Sequence, residues 1–334
     1  MISIIESTVS DCRQKDFICY LQSEIGLNIF QSPEDIPKNF YENIIKKINE
    51  IQDSWKETET FVMFDKDDTN DDKIIQLYNA DTRFALLQER GTDLLRDGLF
   101  IIGGESSSGK SSFVTDLALS ILSCDNGCCL ISFGLDDNKF ITRRRIYSQM
   151  LNRNTFKNSP TKEEKERVKN ITNRVLCLEK ITIGKISKAV EFVKRETGCS
   201  RVLIAIDYFQ IFPQLSIIDR RLFLNDTLIM IKDIQKKYQD EGGCILFLLS
   251  QLGRNKDGQY NYRETSEIEN VGDVALDLTP IKGTERDIQI EVKKNKIGRR
   301  RMKWQTTIYE DFTFSMIVKK ITTADAEDNS RRGR

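Results

Sequence analysis

From about residue 95 onward, short apolar runs bounded by turn residues alternate with longer segments whose apolar residues recur every three or four positions. The short runs are typical of buried strands, and the longer segments are typical of helices that pack on a sheet. Such alternation predicts an α/β fold with a mainly parallel, twisted sheet flanked by helices. The predicted strands are Leu99–Ile102, Cys129–Phe133, Val202–Ile206 and Cys244–Leu249, and the predicted helices are Ser111–Leu122, Lys185–Thr197 and Leu222–Tyr238.

Two later segments, Ile288–Val292 and Thr306–Tyr309, alternate apolar with polar residues instead. One face of each segment would then meet the core while the other meets water, which is common in antiparallel sheets. We expect them to be edge strands, with antiparallel pairing as an option.

The first 64 residues have a helical pattern. In Lys38–Lys56, apolar residues recur at three- and four-residue steps with charges between them, which predicts an amphipathic helix. We predict a small helical N-terminal region over 1–64, whose apolar face forms either a bundle core or a docking surface for a neighbouring subunit or another protein. The acidic run Asp65–Lys73 predicts a linker over 65–80, followed by the main domain over 81–320 and a polar, basic tail over 321–334.

Composition narrows the possible functions. Lys plus Arg and Asp plus Glu each number 51, so any nucleic-acid surface must be a local patch. No apolar stretch approaches the length of a membrane span, and the N-terminus lacks a basic region followed by an apolar run, so we predict a cytoplasmic protein without membrane contact. The eight cysteines show no CxxC spacing and are expected to be reduced thiols. Histidine is absent, which excludes any mechanism based on it.

One motif carries specific chemistry: the segment from Gly104 to Ser111, GESSSGKS, matches the phosphate-loop pattern G-x-x-x-x-G-K-[ST] in full. A predicted strand precedes it and a predicted helix follows it, as that motif requires. The glycines let the backbone turn its N–H groups toward phosphate oxygens, and the helix N-terminus adds a partial positive charge. We therefore predict binding of ATP with Mg²⁺. The predicted nucleotide contacts are Gly104, Glu105, Ser106, Ser107, Ser108, Gly109, Lys110, Ser111 and Ser112.

Two roles within this loop follow from phosphoryl-transfer chemistry: Lys110 reaches the β- and γ-phosphates, and the Ser111 hydroxyl binds Mg²⁺. An acidic partner for the metal is expected at the end of a neighbouring strand, where Asp207 closes the apolar run RVLIAID. Hydrolysis also needs a carboxylate that orients the attacking water. Asp136, which follows another predicted strand, is the first candidate, and Asp137 is the local alternative.

Five stretches together resemble the RecA-like motor domain of DnaB-type replicative helicases, the ring-forming superfamily four. They are GGESSSGKSSF, ISFGLDD, IAIDYFQIF, LLSQLGR and YRETSEIENVGDVALDL, in the order found in that family. The third is similar to the family's I-D-Y-L-Q-L and the fourth to its L-S-Q-L-N-R. The resemblance runs from about Leu95 to Phe314. It implies a RecA-like P-loop NTPase fold, a homo-oligomeric ring such as a hexamer, and single-stranded DNA as a partner.

The resemblance also implies roles for individual residues. Gln251 would be the polar sensor that reports the γ-phosphate to the DNA-binding loops. Arg254, Lys256 and Arg263 would belong to a loop facing the central channel, where Tyr260 and Tyr262 suit base stacking. The loop after Asp207 would bring Arg220 and Arg221 to the same channel.

Two positions depart from the family pattern. The water-orienting Glu is replaced by Asp136, which is one methylene shorter. The segment that carries the family's arginine finger reads Lys294-Asn-Lys-Ile-Gly298, which places Lys296 at the finger position. Lysine keeps the charge but lacks the planar guanidinium fork. Slow hydrolysis is therefore expected, with Arg299, Arg300 or Arg301 as substitutes for the finger.

The sequence thus predicts an ATP-dependent DNA helicase or translocase that works as a ring, with Lys110, Asp136, Gln251 and Lys296 as catalytic residues. Replication of a phage, plasmid or other mobile element is the expected setting. The alternative is a regulatory or accessory ATPase that organises or loads a partner complex with little turnover. A strand-exchange recombinase is a third interpretation, which the SQLGR and RETSEIE segments disfavour.

Overall fold

The computed structural model describes residues 76–89, 91–135, 137–211, 220–254, 260–262, 267–298 and 302–319, with the backbone alone at 211, 254, 260–262 and 267. The chain divides into two compact units, Met1–Ile74 and Ile75–Arg334, and all described residues belong to the second. The predicted N-terminal helices and the acidic run Asp65–Lys73 lie outside the described residues.

The core of the second unit is one large sheet with the order β10-β9-β8-β7-β1-β5-β4-β2-β3, while β6 pairs with the end of β5. The strands β3, β2, β4, β5, β1 and β7 run parallel, and β8, β9 and β10 continue the sheet in antiparallel fashion. The strands are β1 Gly98–Gly104, β2 Cys128–Gly134, β3 Val175–Leu178, β4 Arg201–Asp207, β5 Cys244–Arg254, β6 Tyr260–Tyr262, β7 Val274–Pro280, β8 Asp287–Asn295, β9 Lys303–Thr307 and β10 Val318–Lys319.

Helices cover both faces of this sheet. In β1, Phe100 and Ile102 join one apolar cluster, whereas Leu99 and Ile101 join a second cluster on the opposite face, as the two-residue period of a strand requires. The helix α2 packs in the first cluster, while α6 and α7 pack in the second. The helices are α1 Ala85–Gln88, α2 Lys110–Cys124, α3 Lys139–Leu151, α4 Lys162–Arg167, α5 Lys169–Thr172, α6 Ile183–Thr197, α7 Arg220–Asp240 and α8 Glu267–Val271.

The seven elements predicted from the apolar pattern before residue 250 are all present, and the α/β prediction is confirmed. The prediction for the later segments needs two corrections. The strand predicted at Ile288–Val292 is not an edge strand, because it lies within β8 between β7 and β9. The strand predicted at Thr306–Tyr309 begins earlier, at Lys303, because Trp304 is buried and pairs with Ile290.

The described cysteines, Cys124, Cys128, Cys129, Cys177, Cys199 and Cys244, all carry free thiols. Among the described residues, no helix is both long enough and apolar enough to cross a membrane.

A buried ion pair fixes the helix that follows the phosphate loop. Asp116 on α2 is 2 % exposed and pairs with Arg83, with 2.9 Å between Asp116 Oδ2 and Arg83 Nη1. The Phe314 N–H donates to the same carboxylate at 2.8 Å, and the Ile317 N–H donates to the Arg83 carbonyl at 2.9 Å. One carboxylate therefore joins three segments that are far apart in the sequence.

We expect Asp116→Ala to lower the free energy of unfolding by about 3 kcal/mol, measured by urea denaturation at pH 7.5. The substitution leaves the buried Phe314 N–H without its acceptor and Arg83 with Asp81 as its remaining carboxylate partner. Burial raises the pKa of Asp116 to about 6 against the opposing effect of Arg83, so the pair is partly offset and the lower end of the range applies.

Glu166→Ala is the control for this prediction. Glu166 forms an exposed ion pair with Lys169, which is worth about 0.5 kcal/mol or less. Equal losses of stability in the two variants would contradict the role assigned to Asp116.

Candidate functional site

The phosphate loop connects the end of β1 to the start of α2. Gly109 precedes the first residue of α2 and has φ of 85°, in the left-handed region that favours glycine. A Cβ at Gly104, the last residue of β1, would lie 2.3 Å from Ser108 Oγ and 2.8 Å from the Leu278 carbonyl oxygen. Both glycines of the motif are therefore required by the local backbone.

Ser108 supports a ligand-binding role for this loop. Its side-chain hydroxyl is buried, and it has no hydrogen-bond partner among the described residues. A buried hydroxyl without a partner costs free energy, so its presence here needs an explanation. A phosphate group bound in the loop would supply an acceptor, which fits the nucleotide predicted from the motif.

Lys110 lies inside the loop that it serves. Its Nζ donates to the carbonyl oxygens of Gly104 and Glu105 at 2.9 Å and 2.7 Å, and the residue is 7 % exposed. Burial lowers the pKa of Lys110 to about 8, although the charges of Asp207 and Glu105 act in the opposite direction. The ammonium group is thus held at the loop and is short of solvation, which favours an added anion.

Asp207 ends β4 and faces the loop. The Ser111 hydroxyl hydrogen-bonds its carboxylate, and the charge of Lys110 also acts on it. Burial raises the pKa of Asp207, while the Ser111 hydrogen bond and the Arg145 and Lys110 charges oppose that effect. The two predicted metal ligands are therefore in direct contact.

Magnesium suits this arrangement. Within the described ranges there is no group of three His, Cys, Asp or Glu side chains that could hold a metal. Mg²⁺ is usually bound through one or two protein ligands together with water and substrate phosphates. Ser111 and Asp207 beside a phosphate loop provide such a pair.

The segment after β2 holds the two candidates for the water-orienting carboxylate. Asp136 lies outside the described residues, whereas the alternative candidate Asp137 forms an ion pair with Arg145 at 2.8 Å. The Arg145 charge also acts on Asp207. Arg145 lies in a run of three arginines in α3, and the sequence held no signal that singled it out.

Gln251 is placed next to the phosphate loop by the sheet. Its Cα is paired with that of Gly104 in the parallel register between β5 and β1. Gln210, in the short helix Phe209–Ile211 after β4, accepts a hydrogen bond from the Gln251 N–H at 3.3 Å and donates one to Ser250 Oγ at 2.7 Å. Gln210 lies within the motif IAIDYFQIF, but the sequence alone assigned it no role.

Lys296 lies at the opposite edge of the sheet. Its Nζ donates to Asp273 Oδ1 at 2.7 Å, and the other oxygen of Asp273 accepts from Lys232 and from the Leu99 N–H. Leu99 is five residues before Gly104 in β1, a distance of roughly 16 Å along a strand. A lysine side chain cannot span that distance to its own phosphate loop.

The other predicted DNA contacts are only partly described. Arg220 and Arg221 open α7, where the Arg220 guanidinium donates to the Gln210 carbonyl. Arg254 ends β5, and its side chain is not described, while Lys256 and Arg263 lie outside the described residues.

Taken together, the parallel sheet and the loop with its carboxylate define a nucleotide-binding α/β protein of the P-loop class. Residues 80–312 match the family described as "DnaB-like helicase C terminal domain". This match covers more than half of the chain, so the chain belongs to that family, as the five motifs predicted.

Solved structures agree with this fold. The chain is similar to a structure whose title describes the ATPase domain of another protein, with 16% identity, a TM-score of 0.58, and coverage of 84% of this chain and 99% of that one. It is also similar to "The Structure Of A DnaB-Like Replicative Helicase And Its Interactions With Primase", with 17% identity, a TM-score of 0.57, and coverage of 92% and 78%. A search of curated protein sequences finds no match to this chain. The RecA-like fold prediction is confirmed.

The pKa of Lys110 predicts a pH dependence of nucleotide binding. Bound phosphates favour the charged ammonium, so the Kd for Mg-ATP should be flat from pH 7 to about 8. Above pH 8 the free protein loses that charge, and Kd should rise about tenfold per pH unit until the pKa of the complex is reached. Isothermal titration calorimetry between about pH 7 and pH 9.5 measures this.

Two control variants accompany the titration. Lys110→Met should bind weakly and show no such rise, whereas Lys169→Met, at an exposed position on α5, should behave as the unmodified protein. A constant Kd across this pH range in the unmodified protein would contradict the assignment of Lys110 to phosphate binding.

Proposed function

We propose that this protein is an ATP-driven DNA helicase or translocase of the DnaB-like type, which hydrolyses ATP between the subunits of a ring and acts on single-stranded DNA. The observation that carries the proposal is the meeting of Lys110, Ser111 and Asp207 at one edge of the sheet, where Ser111 hydrogen-bonds the Asp207 carboxylate and the Lys110 charge acts on it. Membership of the DnaB-like helicase family supports the nature of the motor.

The residues of this chain would share the work of hydrolysis as follows. Lys110 binds the β- and γ-phosphates and neutralises charge that develops during in-line attack by water. Ser111 and Asp207 would hold Mg²⁺, which supplies further charge neutralisation when bound. Asp136 orients the attacking water, with Asp137 as the alternative. Gln251, next to Gly104 in the sheet, senses the γ-phosphate.

We assign Lys296 to a neighbouring subunit's nucleotide. Its place at the edge opposite its own phosphate loop supports action in trans, because two subunits in head-to-tail contact bring opposite edges together. Asp273 keeps Lys232 and the Leu99 N–H as partners when Lys296 leaves, so the departure leaves no buried charge unpaired.

DNA contact is assigned to Arg220, Arg221, Arg254, Lys256 and Arg263. Arg220 and Arg221 begin α7, the helix that follows β4 and the Asp207 site in the chain. We further propose a hexameric ring in the cytoplasm, a protein partner for the N-terminal region, and a role in replication of a phage, plasmid or mobile element. One structural relative was solved for its interactions with primase, which makes a replication protein a reasonable partner to test.

A regulatory or accessory ATPase is the second candidate. A specific observation favours it: the finger position holds a lysine that is engaged by Asp273 at 2.7 Å. An arginine finger is worth roughly 10³–10⁵ in rate, and a lysine lacks its fork geometry. Tight nucleotide binding with little turnover would then organise an assembly.

Steady-state ATP hydrolysis with and without single-stranded DNA separates the two candidates. The motor proposal predicts a several-fold increase in kcat on adding DNA, and a loss of roughly 100-fold or more in Lys110→Ala. Tight ATP binding without DNA-stimulated turnover would contradict the motor and favour the regulator.

A mixing experiment tests action in trans. Lys110→Ala and Lys296→Ala subunits should each be nearly inactive alone, because one lacks the phosphate lysine and the other the finger. In randomly mixed rings about one interface in four pairs an intact loop with an intact finger, so activity should return. No recovery on mixing would contradict action in trans, and mixing Lys110→Ala with the Lys110→Ala/Lys296→Ala double variant is the matched control.

A further inference from the structure

Gln210 makes hydrogen bonds to two elements, β5 and α7, at the nucleotide edge of the sheet. It lies three residues after Asp207, in the short helix Phe209–Ile211. Phe209 is fully buried in the core cluster that contains α7, so the backbone of this turn is anchored. The side chain of Gln210 points to the end of β5.

The amide of Gln210 takes the place of a strand that has ended. Backbone pairing between β4 and β5 ends at Ile206 and Leu248, while β1 continues along the other side of β5 as far as Gln251. Beyond that point, Gln210 Nε2 donates to the Gln251 carbonyl at 3.4 Å, and Gln210 Oε1 accepts from the Gln251 N–H at 3.3 Å. One side chain therefore contacts both backbone groups of the sensor residue.

Two more contacts extend from Gln210. Its Nε2 donates to the hydroxyl of the fully buried Ser250 at 2.7 Å. Its backbone carbonyl accepts from the guanidinium of Arg220, the first residue of α7. Arg220 also lies over the ring of Phe223, at 5.9 Å from the ring centroid.

We propose that Gln210 is a positioning residue that couples the sensor Gln251 to the start of α7. A shift of Gln251 toward a bound γ-phosphate moves both backbone groups that the Gln210 amide holds. The displaced Gln210 then moves the carbonyl that binds Arg220, and with it the first turn of α7, where two proposed DNA contacts lie. The part of this inference that concerns DNA rests on the proposed function, whereas the coupling of ATP to α7 does not.

Two variants of Gln210 test the coupling. Gln210→Ala removes every side-chain contact. Gln210→Glu keeps an acceptor for the Gln251 N–H but cannot donate to Ser250 Oγ or to the Gln251 carbonyl. Gln239→Ala, at a glutamine near the far end of α7, is the matched control.

The first readout is the ratio of kcat with and without single-stranded DNA. It should fall toward one in Gln210→Ala, with the Kd for ATP within about twofold of the unmodified protein, and the melting temperature should hold, since one partly exposed side chain is changed. An unchanged ratio overturns the coupling. A parallel fall of both rates together with the melting temperature shows a purely structural role and also overturns it.

Hydrogen exchange at residues 220–226 is the second readout, and it needs no DNA. A non-hydrolysable ATP analogue should change exchange there in the unmodified protein and in Gln239→Ala, but not in either Gln210 variant. The same change in all variants overturns the coupling. An analogue effect that depends on Gln210, in a protein whose ATPase ignores DNA, would contradict the proposed function while supporting this inference.

Discussion

The parallel register of three strands is the constraint on which the rest of this structure depends. Hydrogen bonding of β1 to β5 and of β5 to β4 brings Gly104, Gln251 and Asp207 to one edge of the sheet. Because the carboxyl ends of parallel strands share an edge, residues far apart in the sequence meet beside one loop. Lys110 and Ser111 follow that loop directly, so the sheet alone brings the phosphate lysine and both metal ligands together.

Charge at this edge is arranged in compensating contacts. Lys110 is buried against carbonyl oxygens and feels the Asp207 carboxylate, whose pKa burial raises and whose ionised form the Ser111 hydroxyl stabilises. Such a site is under-solvated and gains from a ligand that carries both negative charge and a cation. The opposite edge holds Lys296 on Asp273, so one subunit carries two complementary parts of a nucleotide site at its two edges.

Much of this was predictable because the signals are local. The phosphate loop, its strand and its helix are contiguous, and the apolar run that ends in Asp207 is a strong pattern for a buried parallel strand. The strand β3 was missed because it is short, and a brief apolar run such as VLCL does not distinguish a strand from part of a helix. Strand β8 was taken for an edge because alternation reports which faces are buried and not which neighbours pair. The roles of Arg145, Gln210 and Asp273 depend on tertiary contacts, to which no local pattern points.

The account stands on Ser111 and Asp207 acting as one metal-binding pair beside Lys110. The most direct measurement is the affinity for ATP with Mg²⁺ and with EDTA, in the unmodified protein and in Asp207→Asn. The account predicts that removing Mg²⁺ weakens ATP binding in the unmodified protein and changes it little in Asp207→Asn. An Asp207→Asn protein that keeps the full Mg²⁺ dependence would contradict it.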